Sequence, residues 1–208
     1  MVDVGGHKGI FGVFAATIAR DVKVYSFEAS PENFACLSHN IRLNNLSSIK
    51  AFNVAVGGQD GESTLNLYEE NGQNTLLQRS NPQLHPVGSV RVETWSLARV
   101  LKTVASQVNL LKVDIEGMEY ETLLSCPDEY LERVERIALE YHDVLVRVPH
   151  TVFELVEFLN ARGFSTYLSP GNEVLLAERI PDQTFPSQLG VGQNEENFHH
   201  SEQAELPG

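Results

Sequence analysis

The sequence predicts an α/β fold built on a mostly parallel sheet that closes with an antiparallel hairpin. Three observations carry this. The first 56 residues alternate strand and helix patterns in the order β-α-β-α-β, which implies parallel strands joined by right-handed crossovers. Val108 to Ile115 is a strongly apolar run of strand length, as expected of a strand buried on both faces. Ser165–Leu168 and Glu173–Ala177 flank Ser169-Pro170-Gly171-Asn172, a turn signal between two strands.

The elements follow in order. Val2–Val4 reads as a strand that breaks into the Gly-rich turn at Gly5-Gly6. Ile10 to Arg20 reads as a helix with Ile10, Phe11, Phe14 and Ile18 on one face. Val22 to Glu28 is a second strand. Ser30 then has the chemistry of an N-cap and Pro31 sits at the first helical position. That helix carries Phe34, Leu37 and Ile41 on one stripe and stops at Asn44-Asn45. Ile49 to Val56 is a third strand, closed by Gly57-Gly58. Ser63–Tyr68 and Val90–Thr94 read as short strands around a loop rich in Asn, Gln, Ser and Pro, of a length that is often functional. After the apolar strand at 108–115, a helix begins in Gly117–Ser125. Arg136–Tyr141 is a fifth strand, and Thr151–Arg162 a helix ended by Gly163.

The chain has 208 residues, enough for one domain with a sizeable core. Hydrophobic residues make up 42% and charged residues 21%, ordinary values for a globular protein. No apolar run approaches the ~18 residues of a membrane span, and no signal-peptide pattern opens the chain. Cys36 and Cys126 lie far apart in helix-like patterns and read as reduced, buried thiols, so a cytoplasmic location is expected. A formal charge of -13 repels phosphate backbones and argues against nucleic-acid partners. Residues 181–208 contain Asp182, Glu195, Glu196, Glu202 and Glu205 with no Lys or Arg, and read as an acidic, disordered tail behind one domain at 1–180. The pair His199-His200 in that tail reads as solvated.

Four stretches carry chemistry. In Asp3-Val4-Gly5-Gly6-His7-Lys8-Gly9, glycines after a strand admit a ligand close to the backbone, and the following helix start offers N–H groups. The dinucleotide fingerprint would need a glycine at Val4. The acid Asp3 at this strand end disfavours a pyrophosphate and suits cationic groups, such as the amino and sulfonium groups of S-adenosylmethionine (SAM). Glu28 ends the second strand about 20 residues past the glycines, where a carboxylate accepts hydrogen bonds from ribose hydroxyls. Its alternative reading is a surface glutamate beside a helix start. Asp114, Glu116 and Glu119 cluster where a buried strand meets a helix. Carboxylates there can orient an acceptor hydroxyl, take its proton or hold a metal, and no metal site is assigned from the sequence. Charge at a helix start is an equal reading for Glu119. It is a weaker one for Asp114, whose carboxylate ends an apolar strand and needs a partner. His142, at the tip of the fifth strand, is a further candidate base near neutral pH. The backbone of His7 and Lys8 matters more than their side chains.

These stretches, in this order, resemble the FkbM family of SAM-dependent methyltransferases. The carriers are the D-V-G-x-x-x-G loop (Asp3, Gly5, Gly9), the F-E-x-x-P step (Phe27, Glu28, Pro31), the N-V-A-V-G segment (Asn53 to Gly57) and the K-V-D-I-E-G-x-E run (Lys112, Asp114, Glu116, Gly117, Glu119). The resemblance runs from Val2 to about Ala177. It implies a class I methyltransferase Rossmann-like fold with a seven-stranded sheet and SAM as cofactor. It further implies Asp3, Gly5, Gly6, Gly9, Glu28 and Asp114 as cofactor-binding residues, and O-methylation of a hydroxyl on a sugar, glycan or secondary metabolite. Asp114, Glu116 and His142 are the candidate catalytic residues. Gly6-His7 stand where the family commonly has Ala-Asn. Relatives also carry helical sequence before the first strand that helps cover SAM, whereas here the strand begins at the initiator, the pattern of a shortened or fragmentary chain. Two rivals remain. One is a SAM-binding domain without catalysis. The other is a nucleotide-linked oxidoreductase, disfavoured by Asp3, Val4 and the terminal hairpin.

Overall fold

A computed structural model describes residues 1–19, 21–69, 73–77, 85–104, 106–142, 150–171 and 173–181. In chain order the elements are β1 (Val2–Val4), α1 (Ile10–Ile18), β2 (Val24–Phe27), α2 (Pro31–Leu43), β3 (Ile49–Phe52), β4 (Ala55–Gly57), β5 (Gly61–Leu67) and β6 (Gly88–Ser96). There follow α3 (Leu97–Thr103), β7 (Leu111–Val113), α4 (Glu119–Leu124), α5 (Asp128–Leu131), β8 (Arg136–Glu140), α6 (Val152–Asn160), β9 (Phe164–Leu168) and β10 (Val174–Arg179). The main sheet has seven strands in the order β3-β2-β1-β7-β8-β10-β9. The first five are parallel, and β10 runs antiparallel between β8 and β9. This is the α/β architecture that the sequence predicts, including its closing hairpin.

Strand alternation sorts the side chains. Val2 and Val4 of β1, Leu111 and Val113 of β7, and Ile137 and Leu139 of β8 point into one continuous core with Leu97, Val100, Leu101, Leu123 and Leu155 from the later helices. The opposite face of β1 carries Asp3, whose cross-strand neighbours are Ser26 of β2 and Lys112 of β7. Gly12 of α1 packs directly over this polar row. A side chain there would press on the Asp3 carboxylate and Val24, so the helix approaches the sheet through its glycine.

Three expectations need correction. The apolar face of α1 does not enter the core: Ile10, Phe11, Phe14 and Ile18 are exposed among the described residues, and Gly12 is the buried one. The strand expected over 49–56 divides into β3 and β4, which belong to different sheets. The Asn53 side chain causes the break, donating to the carbonyls of Glu28 (2.8 Å) and Ala29 (3.2 Å), while Val54 turns into the core. Cys36 is half-buried rather than buried, though both thiols are unpaired. The two short strands of the middle region form a second sheet with β4, in the order β4-β6-β5, with β5 and β6 antiparallel. Ser30 caps α2 as expected, accepting from the Asn33 N–H, with Pro31 at its first position. The expected tail lies outside the described residues beyond position 181. No helix of the described residues is long and apolar enough to cross a membrane.

Candidate active site

The strand order reverses between β1 and β7, and crevices at such switch points, beyond the carboxyl ends of the strands, are where parallel sheets hold ligands. A cleft of ≈ 230 Å³ lies there. Gly5, His7, Glu28 and Ala29 line one side, and Asp114, Ile115, Glu116 and Met118 the other. Leu65, Asn74, Thr75 and Leu76 from the irregular middle region add to the lining. Thr75 also ties that region to the site, its hydroxyl donating to the Glu116 carbonyl at 2.6 Å.

The glycine loop is shaped by sterics. Gly5 has φ 80, and a Cβ there would collide with the Asp114 carbonyl oxygen. The loop and the β7 tip therefore touch backbone to backbone, an approach open to glycine alone. The Lys112 ammonium bridges the two segments, donating to the Gly5 carbonyl at 2.7 Å and lying 3.1 Å from the Asp114 carboxylate.

Asp3, expected beside the cationic groups of the cofactor, does not line the cleft among the described residues. Alternation sends its side chain beneath α1, fully buried. There it accepts from the Ser26 hydroxyl at 2.9 Å and lies 3.6 Å from the Lys112 ammonium. Burial raises its pKa against the opposing pull of Lys112 and Ser26. Asp3 thus supports the loop from below. Gly6 and Gly9 also sit behind the lining, Gly6 over Ser26 and Gly9 over Leu37.

Glu28 is no surface glutamate: it is 8% exposed and lines the cleft. Its two carboxylate oxygens accept from the backbone N–H groups of His7 (2.7 Å) and Ser30 (2.8 Å). Burial raises its pKa, and those two amides work against the rise. His7 adds a signal that the sequence reading passed over. Its Nε2 is buried without a hydrogen-bond partner, which is a polar atom waiting for a ligand group. Burial, the first cause, lowers the pKa of that imidazole.

The other wall turns on Glu119, which is not a helix-start charge on the surface but a fully buried hub. It accepts from the Ile115 N–H (3.0 Å), from the Gly117 N–H with both oxygens (3.1 and 2.9 Å), and from His142 Nδ1 (2.8 Å). These bonds hold the turn in which Glu116 takes φ 57 and Gly117 φ 114. A left-handed glutamate costs roughly 1–2 kcal/mol, and such outliers gather at functional sites. His142 is 3% exposed. Its Nε2 lies 3.8 Å from Glu116 and 4.0 Å from Glu140, beyond hydrogen-bonding distance of either. Burial works to lower the His142 pKa, but the bond to Glu119 and the charges of Glu119, Glu116 and Asp114 push it up to about 9. Asp114, Glu116 and His142, the three candidate catalytic residues, thus come together. Glu119 and Lys112 belong with them and stand in the same sequence run, but their contacts are set by the turn and by strand register.

Residues 3–166 match the family model described as the methyltransferase FkbM domain. Methyltransferase 1 of Beauveria bassiana is 27% identical over 160 residues, covering 69% of this chain and 64% of that protein. Methyltransferase sdnD of Sordaria araneosa is 27% identical over 168 residues, covering 67% and 65%. The chain thus spans just under two thirds of these two relatives. The 31-O-demethyl-FK506 methyltransferase FkbM of Streptomyces tacrolimicus is 25% identical over 195 residues, covering 78% and 71%. Among solved structures, SMU.1697c of Streptococcus mutans, in complex with SAH, superposes with TM-score 0.51 at 15% identity, covering 86% of this chain and 87% of that one. The precorrin-6y C5,15-methyltransferase of Geobacter metallireducens gives 0.50 at 12%, covering 86% and 79%. At these identities the two structures report the shared fold alone.

Proposed function

This chain belongs to the FkbM methyltransferase family and has the class I methyltransferase fold, and from that premise we propose that it transfers the methyl group of SAM to a hydroxyl oxygen of a sugar, a glycan or a secondary metabolite. The observation that carries this reading is the cleft at the β1–β7 switch point, with a pinned buried carboxylate on one wall and a carboxylate pair on the other. The residues present fit the cofactor. The loop approaches backbone to backbone at Gly5, and the orphaned His7 Nε2 offers a bond to a polar ligand group. The Glu28 carboxylate, held by the His7 and Ser30 amides, faces the cleft where a ribose hydroxyl could donate to it.

When bound, SAM supplies an electrophilic methyl group on a sulfonium. The chain's task is to align an acceptor oxygen in line with it and to exclude water, and such positioning contributes roughly 7–11 kcal/mol. Asp114 and Glu116 line the cleft as carboxylates and can take the acceptor's hydroxyl proton, worth roughly a hundredfold or more in rate. His142, with a pKa of about 9, holds a proton at neutral pH and is the poorer base. Leu65, Thr75 and Leu76 shape the acceptor side.

Calorimetry with SAM, SAH and NAD tests the cofactor. SAM and SAH should bind and NAD should not; silence with SAM and SAH and tight NAD binding would sink the proposal. A screen of sugar and metabolite acceptors, with the methylated atom located by NMR, tests O-methylation. A product methylated on nitrogen or carbon overturns that part.

A further inference from the structure

We propose that Asp114, Glu116 and His142 form a divalent-cation site on the β7–β8 wall of the cleft. One ligand atom from each of the three lies within 4.8 Å of the other two. Carboxylate and imidazole ligands sit about 2.0–2.2 Å from such an ion, so bound ligand atoms are at most about 4.4 Å apart. The present spacing needs only a small closure, within reach of two partly exposed carboxylate side chains.

Acidic clusters are common, and the imidazole separates this one from them. His142 is buried, and its Nε2 faces Glu116 without a hydrogen-bond partner among the described residues. Its Nδ1–H is held by Glu119 at 2.8 Å. That bond fixes the ring orientation and points Nε2 toward the carboxylates, where a metal ion would take the place of the Nε2 proton. Metal-ligating histidines take this arrangement, with the second ring nitrogen bonded to a carboxylate. The left-handed conformation of Glu116, enforced by the Glu119 bonds to Ile115 and Gly117, brings the third ligand to the same point.

Charge supports the assignment. The carboxylates of Asp114, Glu116, Glu119 and Glu140 surround this imidazole, and Lys112 answers through one Asp114 oxygen, leaving the other for a ligand. Two carboxylates and one imidazole suit Mn²⁺ or Zn²⁺ better than a thiolate-preferring ion. Asp114 and Glu116 also line the cleft, so the open positions of the ion would face the acceptor. That last clause rests on the methyltransferase reading; the cation site itself does not.

The test is a titration of the metal-free full chain with Mn²⁺, followed by the EPR signal of the unbound ion. One Mn²⁺ per chain should bind, and the bound ion should show coupling to one nitrogen. Asp114→Asn and Glu116→Gln should each weaken binding about tenfold or more, while Glu62→Gln, in an exposed ion pair, should not. Circular dichroism confirms folding, and Asp114, partly exposed, serves as the variant least liable to unfold. Absence of saturable binding of both Mn²⁺ and Zn²⁺ to the folded wild type overturns the site. Binding that survives both substitutions overturns it too, since the ion then sits elsewhere, for example at His199-His200. Calorimetry with SAH, run on the same metal-free protein, reads the cofactor site separately, so failure of one does not register as failure of the other.

Discussion

Replacing Glu119 with alanine tests the architecture of the β7–α4 wall. The side chain is fully buried and accepts from two backbone N–H groups and one imidazole. Alanine leaves all three donors without their partner, the Gly117 N–H and His142 in buried positions and the Ile115 N–H in a partly buried one. An orphaned buried donor costs about 1–3 kcal/mol, and removing one member of a buried pair about 3–5 kcal/mol in total. Relaxation of the turn recovers part of the sum, so a loss of about 3–5 kcal/mol is expected. For a domain of this size that lowers the thermal midpoint by roughly 6–20 °C. Glutamine can keep its oxygen at the Oε1 position, which serves Ile115, Gly117 and His142, and then turns its amide only toward the Gly117 N–H, so about 1–2 kcal/mol should be lost. The measurement is urea and thermal unfolding of wild type and both variants. A stability within 1 kcal/mol of wild type for Glu119→Ala would refute the hub reading, because it would mean the turn holds its left-handed Glu116 unaided.

Glu28→Ala should weaken SAH binding by about 1–3 kcal/mol in calorimetry and also lower stability by about 1–2 kcal/mol, since the His7 and Ser30 amides lose their acceptor; unchanged affinity removes Glu28 from the cofactor site. Gly5→Ala should abolish SAH binding or prevent folding, because the added methyl collides with the Asp114 carbonyl at a positive φ; a folded variant with wild-type affinity contradicts the close approach. Burial pushes the Cys126 thiol up to about 12, so near pH 8 it stays protonated and unreactive; an aromatic disulfide reagent should titrate one thiol quickly in the native protein and the second only after denaturation.

Local chemistry made much of this protein legible in one dimension. The β-α-β order, the doubly buried strand and the Pro-Gly turn announced the sheet and its hairpin, because side-chain period and turn conformation are properties of neighbouring residues. The Gly5 turn and Glu28 at its strand tip were legible for the same reason: both follow from a strand ending in a ligand-facing loop. Tertiary structure decided the rest. Whether Asp3 faced the ligand or the underside of α1 depended on the pleat of β1 between Ser26 and Lys112, which pairing register fixes. The apolar face of α1 was visible as a pattern, but which side met the sheet was settled by the close fit of Gly12 over Asp3 and Val24. Asn53 divided one apparent strand between two sheets through carbonyls 24 and 25 residues away in sequence. Glu119 read equally as a helix-start charge and as a functional acid, because its sequence neighbours are a helix and a strand tip. It became the hub of the site because His142, 23 residues later, enters from the adjacent strand β8 and closes on it.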